Sequence, residues 1–310
     1  MKNRSILVTG GAGFIGSHLV DALVEQGACV KVVDDLSNGR INNVNKKAKF
    51  TCASIIDIET MRECIKGVEL VFHLAAETGT KETSMGFKDP LREMRVNAEG
   101  TVNLLKCIAD FNPSAHVVFA SSAAVYGEPN YTPVDEKHPT EPVSPYGISK
   151  LASEQYVKVY NREFGIKSTI GRIFNTYGPR QSRYVIYDLI QKIKNNRNQL
   201  EILGNGSIIR DYAYVSDTVD ALILISEKGQ IGDVYNIAGG NPISISELSS
   251  LILTELDLEG KTAIMYSGAS WKGDITKMIA DITKLRKLGF KPRITLKSGI
   301  KLTLDFFMNH

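Results

Sequence analysis

The stretch Ser5-Ile6-Leu7-Val8-Thr9-Gly10-Gly11-Ala12-Gly13-Phe14-Ile15-Gly16 decides how this 310-residue chain is read. A short aliphatic, β-branched run feeds directly into glycines spaced three apart, which predicts a strand, a tight turn and a helix that together cradle a nucleotide phosphate. Gly10 permits the tight turn, Gly13 lets backbone approach a pyrophosphate, and Gly16 lets the helix pack closely on its sheet. The helix starting near Gly13 aims its N-terminal amides at the phosphates.

The residues that follow extend the pattern. Between Ser17 and Gln26 the apolar residues Leu19, Val20, Leu23 and Val24 have helical spacing, and Gly27 closes the helix. A second aliphatic run, Val30 to Val33, ends in Asp34. A carboxylate at the tip of the second strand, about 20 residues past the glycines, accepts both ribose hydroxyls of NAD and repels a 2′-phosphate. NAD is therefore expected over NADP, although Arg40 nearby leaves NADP open.

With 43% hydrophobic and 23% charged residues, the chain has the composition of a globular protein with a full core. Its net charge of +3 is spread over well-mixed signs, and Lys46-Lys47-Ala48-Lys49 reads as a solvated loop, so nucleic acid is not an expected partner. Neither a leader pattern nor a bilayer-length apolar run is present, so no membrane association is expected and the cytoplasm is the expected compartment. Cys29, Cys52, Cys64 and Cys107 lack any paired spacing and read as reduced thiols. The five histidines lack metal-ligand spacing, so no metal is expected, and His73 reads as a strand-end core residue.

Strand-like runs recur at Phe50-Thr51, Leu70 to Leu74, His116 to Ala120 and Ser168 to Ile170, with helix-like segments between them. This alternation predicts an α/β fold, a Rossmann-type doubly wound parallel sheet with ligands beyond the carboxyl ends of its strands. From about Thr176 the texture changes. A helix over Tyr187 to Lys194, a strand over Leu200 to Leu203, the turn Gly204-Asn205-Gly206 and shorter elements suggest a smaller α/β substrate-binding lobe. Residues 1–175 are expected to form the NAD-binding domain, with 209–238 returning to it. Residues 176–208 and 239–310 are expected to form the lobe.

Tyr146-Gly147-Ile148-Ser149-Lys150 sets a phenol and an ammonium four residues apart, on one face of a helix beginning after Pro145. Ser121-Ser122 closes the strand Val117 to Ala120, so Ser122 is expected at a carboxyl end of the sheet. There its hydroxyl can hydrogen-bond a substrate alcohol, while Lys150 and a cationic nicotinamide lower the tyrosine's pKa and make it a usable base.

With these residues in view, the chain resembles the extended short-chain dehydrogenase/reductases, most closely the nucleotide-sugar 4-epimerases of the UDP-galactose 4-epimerase type. The resemblance runs nearly end to end. It is carried by Thr9 to Gly16, Val33 to Gly39, His73 to Ala76, Asn97 to Thr101, Ser121 to Gly127, Pro145 to Lys150, Asn175 to Arg180 and Gly206 to Val215. It implies that Tyr146 takes the proton of the sugar's 4-hydroxyl while hydride passes to NAD⁺. The resulting 4-keto sugar turns over and takes the hydride back on its opposite face. It also implies that Ser122, Tyr146, Asn175, Arg210 and Asp274 hold the substrate. The cofactor would meet Phe14 and Ile15 in the cradle, Asp35, Asn38 and Gly39 past the second strand, Asp57 and Ile58 past the third, Leu74, Ala75 and Ala76 past the fourth, and Asn97. Relatives of this kind pair helices into a homodimer. Here those helices would run from about Leu91 to Asp110 and from Tyr146 to Phe164, with apolar stripes including Val102, Leu105, Ile108, Leu151 and Val159.

Rival readings separate on particular residues. Dehydratases of this superfamily carry Asp-Glu just past the hydroxyl residue and decarboxylases a Glu, where this chain has Ala123-Ala124. A nucleotide-sugar reductase would use the same Ser-Tyr-Lys set, and an NAD-sensing regulator would bind cofactor without turnover. Two departures leave the sugar open among UDP-hexoses, UDP-N-acetylhexosamines, UDP-uronates and dTDP-deoxysugars. Trp271 stands where the family commonly has Arg, and the segment from Ala76 to Met85 resembles that of deoxysugar 4-epimerases.

Overall fold

A computed structural model describes residues 1–78, 89–268 and 275–309. Asp274, Trp271 and most of the segment running to Met85 lie outside the described residues. Seven parallel strands form the central sheet: β1 (Ser5–Thr9), β2 (Cys29–Asp34), β3 (Lys49–Cys52), β4 (Leu70–His73), β5 (His116–Ser122), β6 (Ser168–Ile173) and β10 (Val234–Ile237). Their spatial order is β3-β2-β1-β4-β5-β6-β10, so the winding direction reverses between β1 and β4. Thr9 lies in register with Val33 on one side and His73 on the other, and the strands therefore end nearly level. Such a reversal opens a crevice at the carboxyl edge, where ligands of this architecture bind.

Alternating burial builds the two faces. Ile6, Val8, Val32 and Phe72 point to one side, where they meet Leu19, Val20 and Leu23 of α1 (Phe14–Glu25) and Val219 and Leu222 of α7 (Val215–Lys228). Leu7, Val33, Val71 and Val117 point to the other side, against Met61 and Ile65 of α2 (Ile58–Ile65) and Leu104 and Ile108 of α4 (Gly100–Phe111). The helix feeding α4 is unusual. It opens as α3 (Pro90–Glu93), passes through a π-helical turn at Met94–Glu99 and only then becomes α4. α5 (Pro145–Phe164) packs beside it, with Leu105, Phe119, Val157 and Ile170 forming a small core between them.

The lobe has its own core of Ile186, Leu189, Leu200, Leu248, Ile252 and Ile300. These residues join α6 (Val185–Asn195), α8 (Ile245–Glu255) and α10 (Leu296–Asn309) to two small sheets. β8 (Gln199–Ile202) pairs with β12 (Ala263–Tyr266), while β9 (Ile209–Tyr214) pairs with β7 (Asn175–Tyr177), β11 (Pro242–Ser244) and β13 (Lys277–Met278). The return to the large sheet is thus shorter than the expected 209–238. β9 belongs to the lobe because its edges are taken by lobe strands, and the chain rejoins the large sheet's layers at α7 before β10. The short α9 (Thr283–Lys287) packs near β10, where Ile282 and Leu285 enter the large core.

Candidate active site

The cradle forms as the glycine spacing requires. Gly10 has φ +72°, and a Cβ there would stand 2.6 Å from the Ala75 amide nitrogen, so the turn after β1 nests against the tail of β4. That tail, Leu74 to Ala76, is held by Leu74 N–H donating to the Thr9 carbonyl (3.1 Å) and Ala75 N–H donating to the Thr9 hydroxyl (3.3 Å). A Cβ on Gly16 would collide with the Gly10 carbonyl oxygen. Gly13 is the N-cap of α1 and supplies no side-chain cap, which leaves the first-turn amides at Phe14 and Ile15 suited to an anion.

Asp34 ends β2 at 8% exposure, and its carboxylate accepts from the amides of Ala12 and Leu36, both at 2.9 Å. Burial raises this carboxyl and the two amides pull it back. A Cβ on Gly39 would approach Asp34 Oδ1 to 2.7 Å, so a glycine is needed for the loop carrying Asp35 and Asn38 to close over it. An uncapped helix start beside a carboxylate at the tip of the second strand fits the diphosphate and diol of NAD. Asp57 sits past β3 as the N-cap of α2, which it caps through the Thr60 amide (3.2 Å) and hydroxyl (2.6 Å), with Ile58 as the first helical residue. Those bonds lower its pKa.

Ser122 is the last residue of β5, and Tyr146 follows Pro145 at the start of α5. Ser144 caps this helix by accepting the Gly147 N–H at 3.1 Å. The Ser122 hydroxyl accepts the Ala124 N–H at 3.2 Å and lies near enough to the Tyr146 phenol to pull its pKa down. Lys150 lies one turn on at 2% exposure, its ammonium 4.2 Å from the centre of the Phe119 ring. Burial lowers Lys150 to about 7, opposed by the charge of Glu154. Glu154 is itself fully buried, held bidentately by Arg172 (3.0 and 2.8 Å), and accepts from the Ser121 hydroxyl at 2.5 Å.

Burial raises the Tyr146 phenol. Tyr184 and Glu93 push in the same direction, while the Ser122 hydrogen bond and the Arg183 charge pull down.

The Asn97 side chain accepts the Glu77 N–H and donates to the Glu77 carbonyl and the Ser149 hydroxyl, each at 2.8 Å. It therefore ties the tail of β4 to α5 from within the π-turn. His73 bridges the hydroxyls of Thr9 (2.7 Å) and Thr101 (3.0 Å), and burial lowers it to about 3. Tyr126 packs beneath the site, donating to Asn236 Oδ1 at 2.6 Å with the Arg172 guanidinium over its ring. No group of three His, Cys, Asp or Glu that could hold a metal occurs among the described residues.

On the lobe side, Asn175 and Arg210 lie on the paired strands β7 and β9. The Asn175 amide donates to the Asp211 carbonyl (3.4 Å) and Arg210 donates to the Ile209 carbonyl (3.0 Å). Four residues missed by the sequence reading surround the phenol or its neighbours. Tyr184 has φ +74°, a strained backbone at the head of α6, and Arg183 stacks on its ring. Glu77 is buried and pairs with Arg92 at 3.0 Å. Glu93 is 1% exposed, and burial with Glu77 and Asp89 nearby pushes its carboxyl up to about 7. The π-turn shifts helical phase just after Glu93, and no motif marks it. Only the positive φ at Tyr184 has a physical signature, and a sequence does not display it.

The fold and the Ser122, Tyr146, Lys150 set define a Rossmann-type nucleotide-sugar-modifying enzyme of the short-chain dehydrogenase/reductase kind. A profile of the GDP-mannose 4,6 dehydratase family matches residues 7–303, and the chain belongs to that family. It is 40% identical to a provisionally named UDP-glucose 4-epimerase of Methanocaldococcus jannaschii, over 98% of this chain and 99% of the relative. The crystal structure of a Thermotoga maritima UDP-glucose 4-epimerase with UDP-glucose superimposes with a TM-score of 0.91 at 36% identity, covering 98% of this chain and 99% of that one. A dTDP-glucose 4,6-dehydratase from Streptomyces venezuelae with NAD bound gives a TM-score of 0.90 at 28% identity, covering 99% and 97%.

Proposed function

We propose that the chain is an NAD-dependent 4-epimerase of a nucleotide sugar, interconverting UDP-glucose and UDP-galactose. The observation that carries this reading is the Ser122 hydroxyl near the Tyr146 phenol of α5, on a turn whose next residues, Ala123 and Ala124, bear no acid. Bound NAD⁺ supplies the acceptor and later the donor of one hydride at the sugar's C4. Tyr146 takes the proton of the 4-hydroxyl and gives one back after the 4-keto sugar has turned over, while Ser122 orients the oxygen. A single phenol serves both directions, and no elimination step needs a second acid at that turn. Asn175 and Arg210, on adjacent lobe strands, hold the diphosphate, and Asp274 meets the nucleoside.

The cradle and Asp34 support NAD as the cofactor, as does the NAD-bound dehydratase of similar fold. The UDP-glucose seen with the Thermotoga epimerase supports the nucleotide. UDP-N-acetylhexosamines, UDP-uronates and dTDP-deoxysugars are the alternative substrates. The test is incubation of the purified protein with UDP-galactose and no added cofactor. The expected product is UDP-glucose, and a 4-keto-6-deoxy sugar would reject the reading.

A homodimer built from α3 to α5 belongs to the same proposal. Leu91, Met94, Ile148, Tyr156 and Val159 are exposed apolar residues on these helices, whereas Leu105 and Ile108 of the expected stripe are buried within the subunit. A monomer mass by light scattering at micromolar concentration would reject it. No helix among the described residues is long and apolar enough to cross a membrane.

A further inference from the structure

Glu93 ends α3 at 1% exposure, and among the described residues neither of its carboxyl oxygens has a hydrogen-bond partner. Such a group is costly to keep, since a carboxyl withdrawn from water needs donors to replace the lost hydration. Its neighbour Glu77 shows the usual solution: the Arg92 guanidinium answers its charge at 3.0 Å. Arg92 does not answer Glu93. The carboxyl is also close enough to Tyr146 for its charge to act on the phenol, because α3 and the π-turn lie against α5. A buried acceptor without a donor among the described residues, on a helix packed against α5, can take its donor from the ligand.

The chemistry of the ligand follows from the reading of Tyr146 as the C4 acid-base, on which this inference rests. The carbons flanking C4 are C3, with a hydroxyl, and C5, which carries C6. A group beside Tyr146 therefore meets the 3-hydroxyl or the C6 substituent, and meets them in turn when the ring presents its other face. Hydroxyls at both positions can donate to a carboxyl. A carboxylate at C6 cannot, and it brings like charge towards Glu93 and its neighbour Glu77.

We propose that Glu93 is a specificity-determining residue that binds a ring or C6 hydroxyl of a neutral hexosyl group and excludes sugars carrying a C6 carboxylate. Elimination chemistry is not assigned to it, since an elimination also needs a base at C5.

The test is titration calorimetry on the NAD-saturated protein at about pH 8, with UDP, UDP-glucose and UDP-glucuronate as ligands and Glu93→Gln as the variant. The wild-type protein should bind UDP-glucose at least about tenfold more tightly than UDP-glucuronate, and the variant should narrow that ratio by about tenfold with UDP itself unchanged. Glu93→Asp keeps the charge and should keep the discrimination, which secures the test if the glutamine variant folds poorly. An unchanged ratio in Glu93→Gln, or a parallel loss of UDP affinity, would overturn the proposal. So would a 4-keto-6-deoxy product that disappears in Glu93→Gln, which would make the residue an eliminating acid. Because binding is read rather than turnover, failure of either UDP-hexose to epimerise would reject the functional reading while the affinity ratio still judges Glu93.

Discussion

Gly147 stands so close to Ala124 that a Cβ on the glycine would lie 2.5 Å from the alanine's carbonyl oxygen. This contact seats the start of α5 on the turn after β5, and so sets the Tyr146 phenol against the Ser122 hydroxyl. Gly147→Ala must push helix and turn apart. It should destabilise the protein by roughly 1–3 kcal/mol, the range for overpacking, and lower kcat more than it raises KM. Denaturant melting with steady-state kinetics checks both, and a variant as stable and as active as wild type would show that the contact does not hold the site.

Tyr146→Phe keeps the ring and deletes the acid-base group. The variant should fold, retain NAD and lose turnover by about 10²–10⁴-fold. Ser122→Ala removes a hydrogen bond to the phenol rather than the phenol itself, so its loss should be smaller. Single-turnover assays separate the two, and a normal rate in the phenylalanine variant would rule out this base.

Asp34→Ala should weaken NAD more than NADP. The carboxylate that holds the Ala12 and Leu36 amides also faces the position of a ribose diol and would repel a phosphate there. Fluorescence titration of both dinucleotides reads the ratio, and tighter binding of NADP by the wild-type protein would contradict the assignment.

His73 makes stability fall in mild acid. Its folded pKa, about 3, lies below the ordinary 6.5, so between those values the unfolded chain binds a proton that the native protein does not. The His73 contribution is complete above pH 6.5 and is lost as pH falls towards 3, at about 1.4 kcal/mol per pH unit. His116, lowered to about 4 by burial and by Arg4 and Lys167, adds a similar slope over a shorter window. His73→Gln should flatten the acid limb between pH 6 and 4 by roughly half. Denaturation midpoints across that range check it, and an unaltered slope would place the acid sensitivity elsewhere.

The glycine spacing made the cradle legible because three separate steric demands fall on Gly10, Gly13 and Gly16, and the aliphatic runs made the sheet legible because buried parallel strands carry apolar side chains on both faces. Ser122, Tyr146 and Lys150 were legible as residues. Their burial was not, since Lys150 packs on the Phe119 ring, which no motif flags. β9 was misread because its apolar pattern suits either sheet, and only its pairing with β7, β11 and β13 assigns it. The hydrogen bonds of Asn97 to Glu77 and Ser149 run across a π-turn that propensity does not foretell.

In the proposed cycle one hydride leaves and returns to the same carbon under the control of Tyr146. UDP-galactose deuterated at C4, converted in ordinary water without added cofactor, follows that hydride. The expected product is UDP-glucose that keeps its deuterium at C4, with no NADH released into solution. Loss of the label to solvent, or NADH appearing in step with a keto product, would contradict it.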